Sequence, residues 1–215
     1  MTFALATPIC EARPAARFLR LSGFLGPAAS AHIRAFALGR SRELEQAAGG
    51  LARAPRVVAW DVDALAPHLV WWLRRETPSL ARSLRVPLTS LGKIETQLAI
   101  SRADDSLPQH IDCDRPETKS RRISFVYYAH AEPRLFDGGE LVLHDPAGRM
   151  TVLDPEGDSL VVFPSNVLHE VRPVRLRSDA AEDGRVTLNG WICEGAGEAG
   201  SHQLSAFSEE EKRRR

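Results

Sequence analysis

The sequence is poor in cysteine, has no excess of either charge and contains no long apolar run. Its 215 residues include three cysteines, an odd and sparse set that does not make a disulfide framework and that fits a reduced, cytoplasmic setting. Lysine plus arginine equals aspartate plus glutamate at 28 each, which argues against a dedicated nucleic-acid binder. No apolar run approaches the length of a transmembrane helix, and the first ten residues lack the basic start of a signal peptide. We therefore expect a globular cytoplasmic protein without a nucleic-acid or membrane partner.

The chain does contain enough apolar sequence for one core, and its first part has a helical pattern. Apolar residues make up 43% of the chain and charged residues 26%, which is the composition of a folded domain. Apolar positions recur at helical spacing over 27–48, where Gly49-Gly50 ends the pattern, and again over 63–75. Residues 78–84 extend the second segment. We expect these helices to pack against a sheet.

After Pro87 the pattern changes to short runs rich in β-branched and aromatic residues. Turn residues separate the runs, and seven or eight short strands of this kind predict a double-sheet jelly roll. The expected fold is mainly β (α+β), a double-stranded β-helix backed by N-terminal helices. We expect a single domain over 1–215, with a helical part at 1–90, the jelly-roll core at 91–195 and a tail at 196–215. The predicted strands are 94–101, 123–128, 139–144, 151–153, 160–163, 170–174 and 185–192.

Three residues have the pattern of a metal site. His110 and Asp112 form an H-x-D pair, and His169 follows 59 residues after His110. Residues i and i+2 of an extended segment point to one side, so both side chains can reach the same ion. Two imidazoles and one carboxylate are the ligand set of mononuclear Fe(II) sites with open positions. The spacing alone is common, because the chain has seven histidines. The alternative interpretation is a surface His-Asp pair together with a core histidine.

Other residues near these motifs have weaker patterns. Cys113 directly follows Asp112 and should point away from an ion that its neighbour binds. His130 falls in a predicted loop, and His144 alternates on a strand without a partner motif, so we assign neither a chemical role. Gly138-Gly139 has a structural explanation, since glycines permit a positive φ or a tight bend before a strand.

The sequence around the three residues is similar to that of a known family. The chain resembles the prolyl-4-hydroxylase-like branch of the 2-oxoglutarate/Fe(II)-dependent dioxygenase superfamily, and most of all its small bacterial members. The resemblance implies that His110, Asp112 and His169 bind Fe(II) and that 2-oxoglutarate and O2 are co-substrates, with ascorbate as an optional further reductant. It implies no catalytic residue beyond the metal ligands. The matching segments, in the family's order, are H-I-D (110–112), R-I-S-F-V-Y-Y (122–128), F-D-G-G-E-L (136–141), F-P-S (163–165) and R-V-T-L-N-G-W (185–191).

The resemblance also implies a binding site for the distal carboxylate of 2-oxoglutarate, and we place Arg185 there. A planar guanidinium can bind both carboxylate oxygens, and an inward arginine is costly unless an anion pairs with it. Thr187 and Trp191 share the strand face of Arg185 and should line the same pocket. Tyr128 corresponds to a family tyrosine that hydrogen-bonds 2-oxoglutarate.

Two positions depart from the family pattern. Arg185 lies sixteen residues after His169, farther than the family usually places this arginine, so Arg175 is a rival anchor. Arg175 lacks the T-L-N-G-W segment that follows Arg185, and a lengthened hairpin loop over 176–184 would absorb the extra spacing. Ser101 stands where many relatives have a tyrosine.

The implied reaction is hydroxylation of a C–H bond in an amino acid, prolyl or peptidyl substrate, with release of succinate and CO2. The residues do not choose among these substrates, nor do they indicate the oligomeric state. Gln97, Arg115 and Arg122 are candidate substrate contacts. Arg115, Lys119, Arg121 and Arg122 add positive charge near the expected entrance, which motivates the hypothesis that the substrate carries a carboxylate or another anion. Two alternatives stay open. One is a non-catalytic metal-binding or scaffold protein on the same fold, and the other is a cupin-type dioxygenase that does not use 2-oxoglutarate.

Overall fold

The computed structural model describes residues 17–47, 57–178 and 181–195. These residues form two α-helices, α1 (Pro27–Ala47) and α2 (Pro67–Leu84), and twelve strands. The expected tail at 196–215 and the Gly49-Gly50 stop of the first helix lie outside the described residues. In chain order the strands are β1 (Leu19–Ser22), β2 (Val57–Trp60), β3 (Leu91–Ser101), β4 (Leu107–His110), β5 (Arg121–Tyr128), β6 (Phe136–Gly138), β7 (Leu141–His144), β8 (Met150–Leu153), β9 (Ser159–Pro164), β10 (Leu168–Val171), β11 (Val174–Leu176) and β12 (Arg185–Glu194).

Helix α2 differs from the sequence prediction at its start. Asp63–Leu65 form a 3-10 turn, and the α-helix begins at Pro67. Proline suits this first position because its fixed φ is helical and its missing N–H would have no partner there. The helix continues through Pro78 and ends where Arg85 adopts a left-handed φ of 54°. Neither described helix combines the length and hydropathy needed to cross a bilayer.

The strands form a jelly roll, as the sequence predicts. Six of them make the major sheet in the order β1-β9-β5-β12-β3-β2, and four make the minor sheet in the order β4-β10-β7-β8. Strands β11 and β6 form a separate pair. Every pairing within these sheets is antiparallel.

The differences from the predicted strands lie in short elements. The strand predicted at 170–174 is in fact two, because β10 ends at Val171 and β11 begins at Val174. Pro173 lies between them and has no N–H to donate to a sheet. The sequence pattern does not predict β1, β2, β4 or β6, each of which has four residues or fewer.

The two faces of β12 separate the hydrophobic core from the site. Val186 and Leu188 are fully buried in the core that also contains residues of both helices. Arg185, Thr187 and Asn189 alternate with them and line a cavity on the other face. The major sheet therefore presents one apolar surface to the helices and one polar surface to the minor sheet.

Asp158 joins the start of α1 to the jelly roll. Its carboxylate accepts hydrogen bonds from the N–H groups of Leu25 and Gly26, at 2.8 and 2.9 Å, just before the helix begins. The hydroxyl of Tyr127 donates to the same carboxylate at 2.8 Å. Asp158 itself has a φ of 52°, in the left-handed region that aspartate tolerates better than most residues. These contacts fix the entry of α1 against the major sheet.

Candidate active site

His110 and His169 converge because they are direct cross-strand partners. His110 ends β4, His169 lies in β10, and the register pairs their Cα atoms. Their ring centroids are 4.1 Å apart. Asp112 does not lie on the strand with His110, as the i, i+2 argument supposes, but in a turn just beyond it. Its carboxylate nevertheless comes within 3.5 Å of the Nε2 atoms of both histidines.

Backbone carbonyls orient both imidazoles. The Nδ1 of His110 lies 2.9 Å from the Pro108 carbonyl oxygen, and the Nδ1 of His169 lies 2.9 Å from that of Val167. Because a carbonyl can only accept, each Nδ1 carries a proton, and in the neutral imidazole each Nε2 keeps its lone pair. The ligand atoms of His110, Asp112 and His169 all lie within 4.8 Å of one another. Outer hydrogen bonds of this kind are typical of metal-binding histidines, so the three residues fit a metal ion.

Neighbouring donors hold Asp112 in its charged form. The Ser124 hydroxyl donates to Oδ2 of Asp112 at 2.6 Å, and the backbone N–H of Asp112 donates to the Ser165 carbonyl at 3.1 Å. Burial raises the pKa of Asp112, but hydrogen bonds from His110, Ser124 and Trp191 and the nearby His169 outweigh it and lower that pKa to about 2. The carboxylate is therefore ionised at neutral pH and can serve as an anionic ligand.

The two histidines respond differently to this carboxylate. Burial lowers the pKa of His110, yet its hydrogen bonds to Asp112 and to the Pro108 carbonyl are together stronger and raise the pKa overall. For His169 burial prevails over the attraction of Asp112, so its pKa is lowered. A histidine that binds a metal must be neutral, and the burial of His169 favours that form.

Buried polar atoms without partners lie at and beside Arg185, which lines the other end of the cavity together with Thr187, whereas Tyr128 is outside the lining. Among the described residues, Arg185 Nε, Thr187 Oγ1 and Tyr128 OH are buried and have no hydrogen-bond partner. Arg185 is 4% exposed, and its guanidinium carbon lies 5.1 Å from the centroid of the Tyr128 ring. A buried cation and two hydroxyls left unpaired are costly, and an anion with several oxygens would satisfy all of them. This group of atoms fits a carboxylate.

Gly139 makes room for that arginine. Its φ is 71°, and a Cβ at this position would lie 2.8 Å from Arg185 Cδ and 3.1 Å from a methyl group of Val174. The adjacent Gly138 also has a positive φ, 76°, and a Cβ there would collide with the Pro173 carbonyl oxygen. Both glycines thus have the positive φ that the sequence allows, and Gly139 also borders the Arg185 side chain.

Comparisons with known proteins agree with this arrangement. The profile of the 2OG-Fe(II) oxygenase superfamily matches residues 96–193, which contain all three candidate metal ligands and Arg185. Residues 96–193 therefore resemble a 2OG-Fe(II) oxygenase domain. Over 140 residues the chain is 30% identical to an uncharacterized PKHD-type hydroxylase of Synechocystis, covering 61% of this chain and 46% of that relative. It is 50% identical over 44 residues to the PKHD-type hydroxylase YbiX of Escherichia coli, covering 20% of this chain and 19% of the relative. The matched region thus spans less than half of these curated relatives.

Solved structures share the fold of the oxygenase domain. A prolyl-4-hydroxylase of Pseudomonas putida superposes with a TM-score of 0.59 at 22% identity, covering 83% of this chain and 93% of that one. A prolyl hydroxylase of Trichoplax adhaerens, in complex with a peptide, gives a TM-score of 0.54 at 19% identity and covers 82% and 83% of the two chains. Together with the PKHD-type relatives, these matches agree with the match to the 2OG-Fe(II) oxygenase superfamily. Fe(II), 2-oxoglutarate and O2 are the cofactor and co-substrates of this family.

One cavity of the oxygenase domain joins the two ends of the site. Its volume is about 100 Å³, several times what one water molecule requires. The three candidate metal ligands, Arg185 and Thr187 line it. Leucine, valine and phenylalanine side chains make up much of the remaining wall. The residues of that apolar part are Leu107, Val126, Leu141, Phe163 and Val171.

Some of the other predicted site residues line the cavity and others do not. Gln97 and Trp191 line the cavity, with Trp191 at the metal end beside Asp112 rather than next to Arg185. Arg115 and Arg122 do not line it. Arg122 donates from Nε to Glu194 at 2.8 Å, and Arg115 is exposed in a short 3-10 turn.

Two further positions bear on the predicted 2-oxoglutarate end. The rival Arg175 is exposed on β11 and outside the cavity lining, whereas Ser101, the register partner of Arg185, lines the cavity. The structure therefore offers Arg185, and not Arg175, to a ligand in the cavity.

Three residues near the site have contacts that the sequence did not predict. Trp60 stacks on Trp191 with ring centroids 6.2 Å apart, and the guanidinium carbon of Arg121 lies 3.6 Å from the Trp191 centroid. The apolar run V-V-A-W at 57–60 is the signal that could have identified β2 and its last residue. His130 is 4% exposed, and burial followed by the charges of Arg185 and Arg134 lowers its pKa to about 3. No local pattern distinguishes this histidine from a loop residue.

Proposed function

We propose that the protein is a 2-oxoglutarate- and O2-dependent hydroxylase that oxidises a C–H bond of an amino acid, prolyl or peptidyl substrate and releases succinate and CO2. The observation that carries this proposal is the set of unpaired buried atoms on Arg185, Thr187 and Tyr128. Arg185 and Thr187 line the same cavity as His110, Asp112 and His169. A metal-binding scaffold would not need a buried, unpaired guanidinium, whereas a dicarboxylate co-substrate would satisfy it.

Each group of residues has a distinct role in this proposal. His110, Asp112 and His169 hold the metal, and Arg185 with Thr187 and Tyr128 binds the distal carboxylate of 2-oxoglutarate. Fe(II) and 2-oxoglutarate supply the oxidising chemistry when they are bound.

The surroundings of the site support these roles. Ser124 donates to Asp112 and fixes the direction of its carboxylate, and the Trp191 indole lines the cavity beside it. The apolar wall of the cavity limits the access of water to the reacting groups. The protein's contribution is therefore orientation and exclusion of solvent.

The substrate class is proposed as aminoacyl or peptidyl. Its support is the PKHD-type hydroxylase relatives and the structural neighbour that was solved with a peptide. Gln97, which lines the cavity, is a proposed substrate contact. We also propose that the substrate carries an anionic group. Arg122 already pairs with Glu194, so Arg115 and Lys119 are the residues with which to test this element. Substrate affinity unchanged in Arg115→Ala combined with Lys119→Ala would remove this element.

The setting of the reaction also belongs to the proposal. We infer a cytoplasmic location, which the free thiols of Cys113 and Cys193 support. We further infer that residues 1–215 form one domain, because α1, α2 and the major sheet share a hydrophobic core. Ascorbate stays an optional reductant in the assay.

The decisive experiment begins with binding and then measures turnover. Under anaerobic conditions, Fe(II) plus 2-oxoglutarate should give a visible metal-to-ligand charge-transfer band. Succinate release should then be screened against proline, prolyl peptides and free amino acids. His169→Ala should abolish both signals, and Arg185→Ala should raise the 2-oxoglutarate requirement sharply. Arg175→Ala is the matched control and should behave as wild type.

Each alternative predicts a different result. Absence of the band would favour the non-catalytic scaffold, and oxidation without any need for 2-oxoglutarate would favour a cupin-type dioxygenase. Full turnover in His169→Ala would contradict the assigned metal ligands.

A further inference from the structure

Trp60 is an exposed tryptophan on the sheet face that forms the floor of the cavity. It ends β2 at the edge of the major sheet and is 54% exposed. Its register partner is Gln97, whose own partner across β12 is Asn189. Cross-strand partners point to the same face of a sheet, and both Gln97 and Asn189 line the cavity. Trp60 therefore continues this row of side chains to the outer edge.

Two contacts fix the indole of Trp191. Trp60 stacks on it with an interplanar angle of 24°, and Arg121 lies over its ring with the guanidinium carbon 3.6 Å from the centroid. Arg121 is itself held by Glu95, to which it donates from Nε at 2.8 Å and from Nη2 at 2.6 Å. Trp191 is 8% exposed, so its position depends on these neighbours more than on solvent. Stacked and cation–π contacts each add attraction beyond the burial of apolar area.

The Trp191 side chain connects this stack to the metal ligands. Trp191 and Asp112 line the same cavity, and the indole lies close enough to the carboxylate to help lower the pKa of Asp112. The indole N–H is the only donor that this side chain possesses. The N–H lies in the plane of the ring, so any rotation of the ring changes its direction toward the carboxylate. The other donor to the Asp112 carboxylate outside the histidines is Ser124, at 2.6 Å.

Exposure of a tryptophan is not by itself informative in this protein. Trp71 on α2 is 57% exposed and also has an arginine over its ring, with the guanidinium carbon of Arg75 5.3 Å from the centroid. Neither Trp60 nor Trp71 lines the cavity, but Trp71 stacks on no aromatic ring of the described part of the chain, whereas Trp60 stacks on Trp191. The two tryptophans are therefore matched in exposure and differ in their connection to the site.

We infer that Trp60 is a positioning residue for the metal centre, which acts by holding the Trp191 indole against Asp112. The inference rests on the metal site of the proposed function and assigns Trp60 no contact with metal, co-substrate or substrate. Loss of the stack should let the indole turn, so that Asp112 keeps its Ser124 bond but loses a fixed second donor. The expected consequence is a metal site of lower affinity and altered geometry in a protein that is still folded.

The test uses Co(II) alone, added anaerobically to the metal-free full-length protein without 2-oxoglutarate or substrate. Trp60→Ala should weaken Co(II) binding about three- to tenfold, less than the loss typical for residues in direct contact with a ligand. It should also change the energies or intensities of the Co(II) d–d bands. Trp60→Phe retains a ring that can stack and should restore most of the wild-type affinity and spectrum. Trp71→Ala should match wild type in both measurements.

A double-mutant comparison sharpens the result. Arg121→Ala should also weaken Co(II) binding, and combining it with Trp60→Ala should have less effect than the product of the single changes, since both act through Trp191. Thermal unfolding of each variant without metal reports general damage, and Trp60→Ala and Trp71→Ala should shift it similarly.

The outcomes distinguish this inference from the proposed function. Equal Co(II) affinity and spectra in Trp60→Ala and Trp71→Ala would overturn the positioning role while leaving the metal site intact. Co(II) binding that does not depend on His110, Asp112 and His169 would overturn the metal site and the inference together. A weakened site in Trp60→Ala that Trp60→Phe does not restore would also count against the stack.

Discussion

The two ends of β12 treat their buried polar atoms in opposite ways. At the Trp191 end, the carboxylate of Asp112 already receives a hydrogen bond from Ser124, and the nearby Trp191 indole helps to lower its pKa. At the Arg185 end, the polar atoms of Arg185 and Thr187 have no partner among the described residues. Buried polar groups that have hydrogen-bond partners orient their neighbours. Buried polar groups without partners indicate that a ligand supplies the missing hydrogen bonds. The same strand thus prepares one end for a metal and the other for an anion.

The pKa shifts of His110 and His130 also differ between the two ends of the site. At the metal end, hydrogen bonds to Asp112 and to a backbone carbonyl outweigh burial and raise the pKa of His110. Near Arg185, burial and then the positive charges of Arg185 and Arg134 lower the pKa of His130 to about 3. The surroundings of His110 therefore favour its protonated form, and those of His130 disfavour it. An anion is the natural ligand for the second environment.

The largest expected effect comes from removing the positive charge of Arg185, at the end of the site that we expect to bind an anion. Arg185→Met should raise the 2-oxoglutarate concentration needed for half-saturation about 100-fold, because truncating a buried charged partner costs several kcal/mol. The ligand-free protein should be as stable as wild type or more stable, since the variant no longer buries an unpaired charge. Titration of the charge-transfer band and thermal unfolding without ligand measure the two effects.

A loss of stability in ligand-free Arg185→Met would contradict the contrast between the two ends of β12. It would mean that Arg185 has a structural partner in solution, so the arginine would not be waiting for a ligand. Arg175→Met is the control, because this arginine is exposed and should change neither measurement.

The second effect concerns the pH dependence of stability. Between its unfolded pKa near 6.5 and its folded pKa of about 3, His130 binds a proton only in the unfolded chain. Stability is therefore lost as pH falls through this window. His130→Gln removes the titration, so from pH 7 to 5 its stability relative to wild type should rise by about 2 kcal/mol. Denaturant unfolding of the metal-free proteins at several pH values gives the difference, and parallel curves would show that His130 is not buried in its neutral form.

The third effect tests whether space around Arg185 matters. Gly139→Ala places a Cβ 2.8 Å from Arg185 Cδ at a φ of 71°, so the guanidinium should be displaced. We expect about a tenfold rise in the 2-oxoglutarate requirement and a stability loss of about 1–3 kcal/mol from the backbone strain.

Gly148→Ala separates strain from displacement. Gly148 also has a positive φ, 76°, but a Cβ there meets nothing within 4 Å. This variant should lose stability while keeping wild-type 2-oxoglutarate binding. Equal binding losses in both variants would exclude a specific role for the contact with Arg185.

The smallest effect compares two adjacent tyrosines. Tyr128→Phe removes a hydroxyl without a partner, so the ligand-free stability should hardly change while the 2-oxoglutarate requirement rises about threefold. Tyr127→Phe removes a hydroxyl that donates to Asp158 at 2.8 Å, and should cost about 1 kcal/mol of stability without changing the requirement. Binding titrations and unfolding of both variants test this reversal, and similar profiles for the two would contradict it.

Features encoded by local periodicity could be read from the sequence. The alternation of R-V-T-L-N-G-W on β12 predicts which side chains face the cavity, and Arg185, Thr187 and Trp191 do so. The jelly roll and both helices follow from runs whose apolar spacing matches one kind of element. The convergence of His110 and Asp112 was expected for a partly wrong reason, since Asp112 lies in a turn beyond the strand.

Features that depend on tertiary contacts could not be read in the same way. β4 contains Pro108 and polar residues, so only its pairing with β10 makes it a strand. The Trp60–Trp191 stack joins residues more than a hundred positions apart, which no local pattern encodes. The low pKa of His130 arises from arginines brought near it by folding. Arg122 looks like a pocket residue by strand alternation, yet Glu194 binds its guanidinium.

The cross-strand pairing of His110 with His169 also bears on local folding. β4 is the edge strand of the minor sheet, and only β10 adjoins it there. An ion bound by both imidazoles would tie this edge to its neighbour and oppose a shift in register, since a one-residue shift would turn His110 to the other face. Loading the centre should then slow amide hydrogen exchange along β4, with the outer rim of the minor sheet opening less often. Metal occupancy of the site and the rate at which β4 opens would then both report the free energy of metal binding.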